Sequence, residues 1–326
     1  MKKLSVIMCN YNYGHWIEES LEAILIQSYP PDEVIVVDDA STDNSIEIIR
    51  EFVKKYPNIK LICNKVNLGS LNAFKQGLNV AIGDYVYSAG SDDKIIPGFF
   101  EKSMHLLSKY PQAGLCCSDS MIIDGEKSIE MRRDLSDVPR YFSPKEAANI
   151  IRRGTSIPMI PYTVIMRRSA LMEAGGYLPD LKWSADLFAN YVSSFRNGFC
   201  CIPEGLTGVR FHSEQYGGPA KRGGKAERDV IKNILDAVQR PEYSDVLPLF
   251  KKAAVFATYP YPWEALQVVI SRKRYWGFFS LKLLRYALFS MVKKGLLSIL
   301  PASFVLKIRT IVRGKRKEKL INGKGA

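Results

Sequence analysis

The residues of this 326-residue chain whose types and spacing could do chemistry are two pairs of adjacent aspartates. Asp38 and Asp39 end the apolar run "VIVVDD", and Asp92 and Asp93 follow the strand-like "YVYSAGS". Neighbouring carboxylates repel, and each loses hydration if its loop packs down. A cation offsets both costs. A hard divalent ion, Mg2+ or Mn2+, takes one or two protein carboxylates and fills its remaining positions with phosphate oxygens and water. Bound at Asp92 and Asp93, it would neutralise charge on a leaving nucleoside diphosphate. The plainer alternatives are turn and cap roles for Asp38 and Asp39 ahead of "ASTDNS", and a solvated turn for Asp92 and Asp93.

The familiar glycine cradles for phosphate are missing. There is no G-x-x-x-x-G-K-[ST], and no G-x-G-x-x-G follows the first apolar run. That run ends in "CNYNYG", where Asn10, Tyr11 and Asn12 could contact a nucleoside. Trp183 could belong to the core or form an apolar platform for a sugar or lipid acceptor.

The elements that must hold these residues follow from periodicity. Residues 4–9 and 34–38 read as buried parallel strands. Between them, 15–28 has helical spacing, with Trp16, Leu21, Ile24 and Leu25 on one side. A helix at about 43–56, a strand at 59–63, a helix near 69–81 and a strand at 84–88 continue the alternation. Such a pattern implies a parallel sheet with helices on both faces and right-handed crossovers. Ligands of such sheets bind beyond the carboxyl ends of the strands, where both acidic pairs fall. Further on, 98–109 reads as a helix and 114–119 as a strand, while 120–142 is polar and irregular with room for a hairpin. A helix starts at Ser143 as cap with Pro144 in its first turn. A strand at 162–167, a helix at 184–196, a strand near 199–202 and a helical stretch at 225–257 complete the body.

Composition bounds the class. Hydrophobic residues make up 47% and charged residues 24%, as in globular proteins rather than disordered ones. The formal charge is +13, yet 271–326 alone carry fifteen Lys and Arg against one acid, Glu318, a net +14 that leaves the first 270 residues at −1. The six cysteines form no C-x-x-C and read as reduced residues buried in strands, hence a reducing compartment. The apolar run at the N-terminus is too short for a signal peptide, and no run reaches about 18 apolar residues.

Several motifs in order, "SVIMCNYNYGHWIEESLEAILIQSYPPDEVIVVDDASTDNS", "NLGSLNAFKQGLNVAIGDYVYSAGSDD", "VIMRRSALMEAGGY" and "SADLFANYVSSFRNGF", resemble those of a family 2 glycosyltransferase over roughly residues 3–216. The resemblance implies the GT-A fold, a Rossmann-like α/β sheet, with a nucleotide-sugar donor and inversion at the anomeric carbon. It gives Asp39, with Asp38, contact with base and ribose, and Tyr11 and Asn12 the nucleotide-binding end of strand one. Asp92 and Asp93 match the acidic motif for metal and diphosphate. Asp186 matches the general base, which takes a proton from the attacking acceptor hydroxyl; its bland reading is a helix cap. His212, in "VRFHSE", matches a late position near the diphosphate or metal, where neutral imidazole favours Mn2+ over Mg2+. His15 and His105 lie on expected helices without such a role. The chain departs from the pattern at Gly90, at Ala185 beside the base, and at Phe74-Lys75 in place of Arg-Asn.

The expected organisation is a GT-A catalytic domain over 1–218, with a nucleotide half (1–119) and an acceptor half (120–218), then a helical region (219–270) and a basic amphipathic tail (271–326). In the tail, Arg274, Lys282, Arg285 and Lys293 fall on one helical face. Trp276, Phe279, Leu283, Leu284, Leu288 and Met291 fill much of the rest, the pattern of a helix lying on an anionic membrane surface. A solvated helix packed on the body is the structural alternative. Nucleic acid is not an expected partner, because the basic residues alternate with bulky aliphatics and no nucleic-acid motif is present. The function expected is transfer of one sugar, most simply from a UDP-sugar, to a glycan or polyprenyl-linked acceptor in cell-envelope polysaccharide biosynthesis. The expected location is the cytoplasmic face of a membrane, held peripherally. Processive synthesis is not expected, since no Q-x-x-R-W is present. The alternatives are a silent GT-A module acting as a membrane-bound assembly partner, and a sugar-nucleotide pyrophosphorylase, which would need a glycine-rich basic loop after strand one.

Overall fold

The computed structural model describes residues 2–124, 127–154, 161–210 and 223–299. The first part alternates as the periodicity requires: β1 (Leu4–Asn10), α1 (Gly14–Leu25), β2 (Glu33–Asp38), α2 (Ser45–Lys55), β3 (Ile59–Cys63), α3 (Ser70–Val80) and β4 (Tyr85–Gly90). A two-residue β5 (Lys94–Ile95) and α4 (Phe99–Lys109) lead into β6 (Leu115–Asp124) and β7 (Lys127–Met131). Then come β8 (Arg140–Phe142), α5 (Pro144–Arg153), β9 (Val164–Arg167), α6 (Arg168–Glu173), α7 (Ala185–Asn197) and β10 (Phe199–Arg210). Four helices close the described chain: α8 (Gly224–Val238), α9 (Leu247–Ala253), α10 (Pro262–Ser271) and α11 (Leu281–Ile299).

All strands join one sheet in the order β3-β2-β1-β4-β9-β6-β10-β5, with β7 on β6 and β8 on β10. β1 pairs in parallel with both β2 and β4. The winding therefore reverses between β1 and β4, and a crevice opens beyond their carboxyl ends. Side-chain alternation gives the sheet two apolar faces. Leu4, Val6 and Met8 pack under α1, α2 and α4, whereas Ile7, Ile35 and Val37 pack against α3 and the later helices. That second cluster runs without a break from Ile7 to Leu283 and Ala287, so α8–α11 share a core with the sheet.

One expectation is corrected and two gain detail. The sheet is mixed rather than parallel throughout, because β9 lies antiparallel between β4 and β6. Residues 120–142, read as irregular with room for a hairpin, hold that hairpin, the end of β6 with β7, and add the short strand β8. The helical stretch expected over 225–257 is divided at Pro241: Arg240 before it is extended (φ −69°, ψ 152°), as the proline ring demands of its predecessor. The Ser143 cap holds. Its hydroxyl accepts from the Glu146 amide while the Glu146 carboxylate accepts from the Ser143 amide, a capping box worth about 1 kcal/mol.

The tail helix begins later than expected. Arg272 and Phe279 are extended on either side of a short 3-10 turn, so Arg274 is off the helix and pairs with Asp236 of α8. Leu283 and Ala287 are buried, and Lys282 donates to the Ile151 carbonyl at 3.2 Å and to that of Arg152. Trp276, Leu281, Phe289 and Val292 are exposed. No helix among the described residues is long and apolar enough to cross a membrane. All six cysteines are free; four are buried in β6 and β10, but Cys63 is exposed.

Candidate active site

At the end of β1, Asn12 adopts a left-handed φ of 58°, which asparagine tolerates better than most residues. Its side-chain oxygen accepts from the Thr42 amide at 2.8 Å and its amide donates to the Ser41 hydroxyl at 2.9 Å. Asp38 is fully buried and accepts from Asn10 Nδ2 (2.9 Å), the Ser41 amide (2.9 Å) and the Ser41 hydroxyl (2.6 Å). Asp39, also buried, accepts from Asn64 Nδ2 (2.8 Å) and the amides of Leu68 (2.9 Å) and Gly69 (2.7 Å). Each member of this first acidic pair is thus compensated by its own set of donors. Together they pin the loops after β2 and β3 to the rim of the crevice, while Tyr11 stands exposed above them.

The second pair is held from below. The Ser91 hydroxyl donates to the Cys9 carbonyl at 2.6 Å, and Ser20 Oγ of α1 lies 2.9 Å from the Ser91 carbonyl and 2.7 Å from that of Asp93. A Cβ on Gly90 would sit 2.7 Å from Asp93 Oδ2 and 2.8 Å from Asp92 Oδ1. Both carboxylates therefore reach to one point that only glycine leaves open.

The cation that the sequence called for comes from the last strand. Arg210 is buried; its Nη1 donates to the Asp92 carbonyl at 2.9 Å and its amide to Asp93 Oδ1 at 3.3 Å. It also pairs with Glu19, which Lys94 Nζ contacts at 2.8 Å. Even so, burial first, and then the charge of Asp92, push the Asp93 carboxyl well above the usual carboxylate range, against the pull of Arg210. The two carboxylates that face the space beside Gly90 offer oxygen donors of the kind that suits a hard divalent cation.

Asp186 lies in the first turn of α7. Two tyrosines mark its surroundings. Burial raises the Tyr162 hydroxyl, and the charges of Asp93, Asp186 and Asp92 add to this while Arg133 opposes them. Burial also raises Tyr177, again with Asp186 contributing. The charges of Asp93, Asp186 and Asp92 thus all bear on the one Tyr162 hydroxyl. The Tyr87 hydroxyl donates to the Tyr162 carbonyl at 3.0 Å, which fixes its place.

The departures from the motif have local explanations. Phe74 stacks on Tyr177 with ring centres 4.4 Å apart, so it supports the wall beside Asp186. Ala185 is completely buried, where an unpaired acid would be costly. His212 lies outside the described residues. Among the described residues no group of three or more His, Cys, Asp or Glu gathers as a metal cage. Sequence reasoning missed Arg210 and Tyr162. Arg210 could have been found as the basic residue two before His212; Tyr162 carries no local signal.

Residues 5–175 match the model of the family described as glycosyl transferase family 2. The chain belongs to that family. It is 35% identical over 176 residues, 54% of its length, to the putative glycosyltransferase EpsE of Bacillus subtilis, and covers 60% of that relative. It is 26% identical over 212 residues to an uncharacterized glycosyltransferase of Nostoc, covering 64% of this chain and 65% of that one. The chain thus spans roughly 60–65% of the length of these two relatives. Its fold is GT-A. A crystal structure of S. aureus TarS 1–349 with UDP-GlcNAc superposes with a TM-score of 0.64 at 19% identity, over 87% of this chain and 78% of that one. The mannosyltransferase PcManGT of Pyrobaculum calidifontis with GDP-Man and Mn2+ superposes with a TM-score of 0.56 at 17% identity, over 99% and 88%.

Proposed function

We propose that this glycosyltransferase inverts the anomeric centre as it moves one hexosyl or N-acetylhexosaminyl unit from a nucleotide-sugar, UDP-linked, to a hydroxyl of a glycan or lipid-linked glycan. The observation that carries the reading is the approach of Asp92 and Asp93 to the one space beside Gly90; the charge of Asp186, felt at the same Tyr162 hydroxyl as theirs, supports it. Asp92 and Asp93, with His212, would hold Mn2+ or Mg2+. Such an ion, when bound, neutralises charge on the departing diphosphate. The chain's own groups do the rest. Tyr11, Asn12 and the loops pinned by Asp38 and Asp39 receive the nucleoside. Asp186 accepts the proton of the acceptor hydroxyl as that oxygen attacks the sugar carbon from the side opposite the leaving diphosphate. TarS with UDP-GlcNAc and PcManGT with GDP-Man and Mn2+ support a metal-assisted nucleotide-sugar site in this fold.

The acceptor side is read from the tail. The exposed Trp276, Leu281, Phe289 and Val292 lie among basic residues, a combination suited to an anionic lipid surface. Lys282 sits on the last carbonyls of α5, next to Gly154. A peripheral seat on the membrane would bring a polyprenyl-linked acceptor to that edge.

The test is a thermal shift with UDP and Mn2+ on the full chain, together with a donor screen that reads nucleoside diphosphate release with lipid-linked acceptors. Asp92→Ala should abolish the shift; an unchanged shift removes the metal assignment. Asp186→Asn should lower turnover by about 10²–10⁴-fold with UDP binding intact.

A further inference from the structure

We infer that Glu227, on α8 and outside the family-matched residues, is a positioning residue that aims the helix carrying Asp186. The inference rests on the proposed role of Asp186 as base. Glu227 is completely buried, an expensive place for a carboxylate unless its partners are well made. One oxygen accepts from the Tyr259 hydroxyl at 2.6 Å, and the other accepts from Trp183 Nε1 at 3.2 Å. The Tyr259 oxygen lies 2.8 Å from the Ser184 hydroxyl. A phenol has one proton, and the carboxylate takes it; Ser184 is then the donor to Tyr259. The chain of bonds runs from Ser184 through Tyr259 to Glu227, and returns through Trp183.

Trp183 and Ser184 are the residues that enter α7, three and two positions before Asp186. Ser184 occupies the N-cap position, yet its side chain makes no cap bond, being turned to Tyr259. Lys182, immediately before, has φ 47° and ψ −128°, a conformation that a side-chain-bearing residue keeps only when its surroundings impose it. α8 imposes it at two places. Asn233 Nδ2 donates to the Asp180 carbonyl at 2.9 Å, and Glu227 holds Trp183. Glu227 itself is in the first turn of α8, where the helix dipole favours a negative charge. The acid that the family motif puts beside the base is Ala185 here, and a buried acid from α8 reaches the same turn through two hydrogen bonds.

The test compares the full-length wild type with Glu227→Gln and Tyr259→Phe, which keep side-chain volume, and with Glu227→Asp. Amide hydrogen exchange over 183–190 should accelerate at least tenfold in E227Q and Y259F, with β1–β4 unchanged. In the donor screen kcat should fall at least tenfold, while the Kd for UDP with Mn2+ stays within twofold and E227D recovers part of the rate. E227Q combined with Asp186→Asn should lose no more than D186N alone. Unchanged protection at 183–190 in both E227Q and Y259F overturns the inference, as does a parallel loss of UDP binding and turnover. Should D186N alone keep wild-type turnover, the base assignment fails instead. Should E227Q not fold, Y259F decides.

Discussion

The Arg210 guanidinium lies 4.5 Å from the centre of the Trp16 ring, so the end of the last strand is stacked on the first helix directly beneath the acidic loop. Trp16, Glu19 and Ser20, all on α1, touch either Arg210 or the backbone of 91–93. Lysine keeps the charge of Arg210 but not its planar stack or its several donors. Arg210→Lys should therefore weaken UDP–Mn2+ affinity by roughly tenfold with a loss of stability of about 1–2 kcal/mol. Calorimetric titration and urea unfolding measure the two; unaltered affinity would mean that the loop keeps its shape without the arginine.

Gly90→Ala places a methyl against both carboxylates at distances that real contacts do not show. The added carbon must push Asp92 and Asp93 apart. UDP–Mn2+ binding should drop by more than tenfold, while the cost to the fold stays within the roughly 1–3 kcal/mol typical of overpacking. Binding close to wild type would show that the two side chains act separately.

Asp119 of β6 is 2% exposed, and burial pushes its carboxyl up to about 6, with only partial relief from the Arg133 amide and charge. The folded state therefore holds this proton more tightly than the unfolded chain, whose carboxyl titrates near 3.8. Stability falls as pH rises from about 4 to about 6, and the penalty is complete above that range, at about 3 kcal/mol. Asp119→Asn should raise unfolding free energy at pH 7.5 by up to that amount and leave it unchanged at pH 3.5. Urea titrations of both proteins at the two pH values give the difference; an equal difference at both would assign it to packing.

Removing the whole of 271–326 would uncover the core, since Leu283 and Ala287 are buried in it. Phe289→Asp is the cleaner test of the membrane reading, because Phe289 is 70% exposed. Flotation with phosphatidylglycerol vesicles should fall several-fold in F289D and in high salt, with melting unaffected. Flotation equal to wild type in F289D would place any membrane contact elsewhere.

The alternation of β1 through β4 was plain in the sequence because each strand is a short apolar run ended by turn residues, and the acidic pairs follow at its crevice end. β6 and β10 are longer than the expected 114–119 and 199–202, since buried Ser118, Asp119, Ser120 and Thr207 interrupt their apolar pattern. The four-residue β9 gives no sign of its direction. Asp38 and Asp39 were legible as a pair, but their division between two loops depends on Asn10, Asn64 and Gly69, which only the fold brings near. Arg210 stands 118 residues from Asp92, beyond any local rule.

The place of β9 sets an order of events during synthesis. The open side of β4 has no neighbour until residue 167 has emerged, and β6 then waits for β10, some 80 residues further along, to cover its other side. A nascent chain stopped at 119 would expose an unpaired strand bordering the crevice. Such an edge is a template for wrong pairing, and the ribosome must deliver nearly the whole body before the crevice has a complete floor.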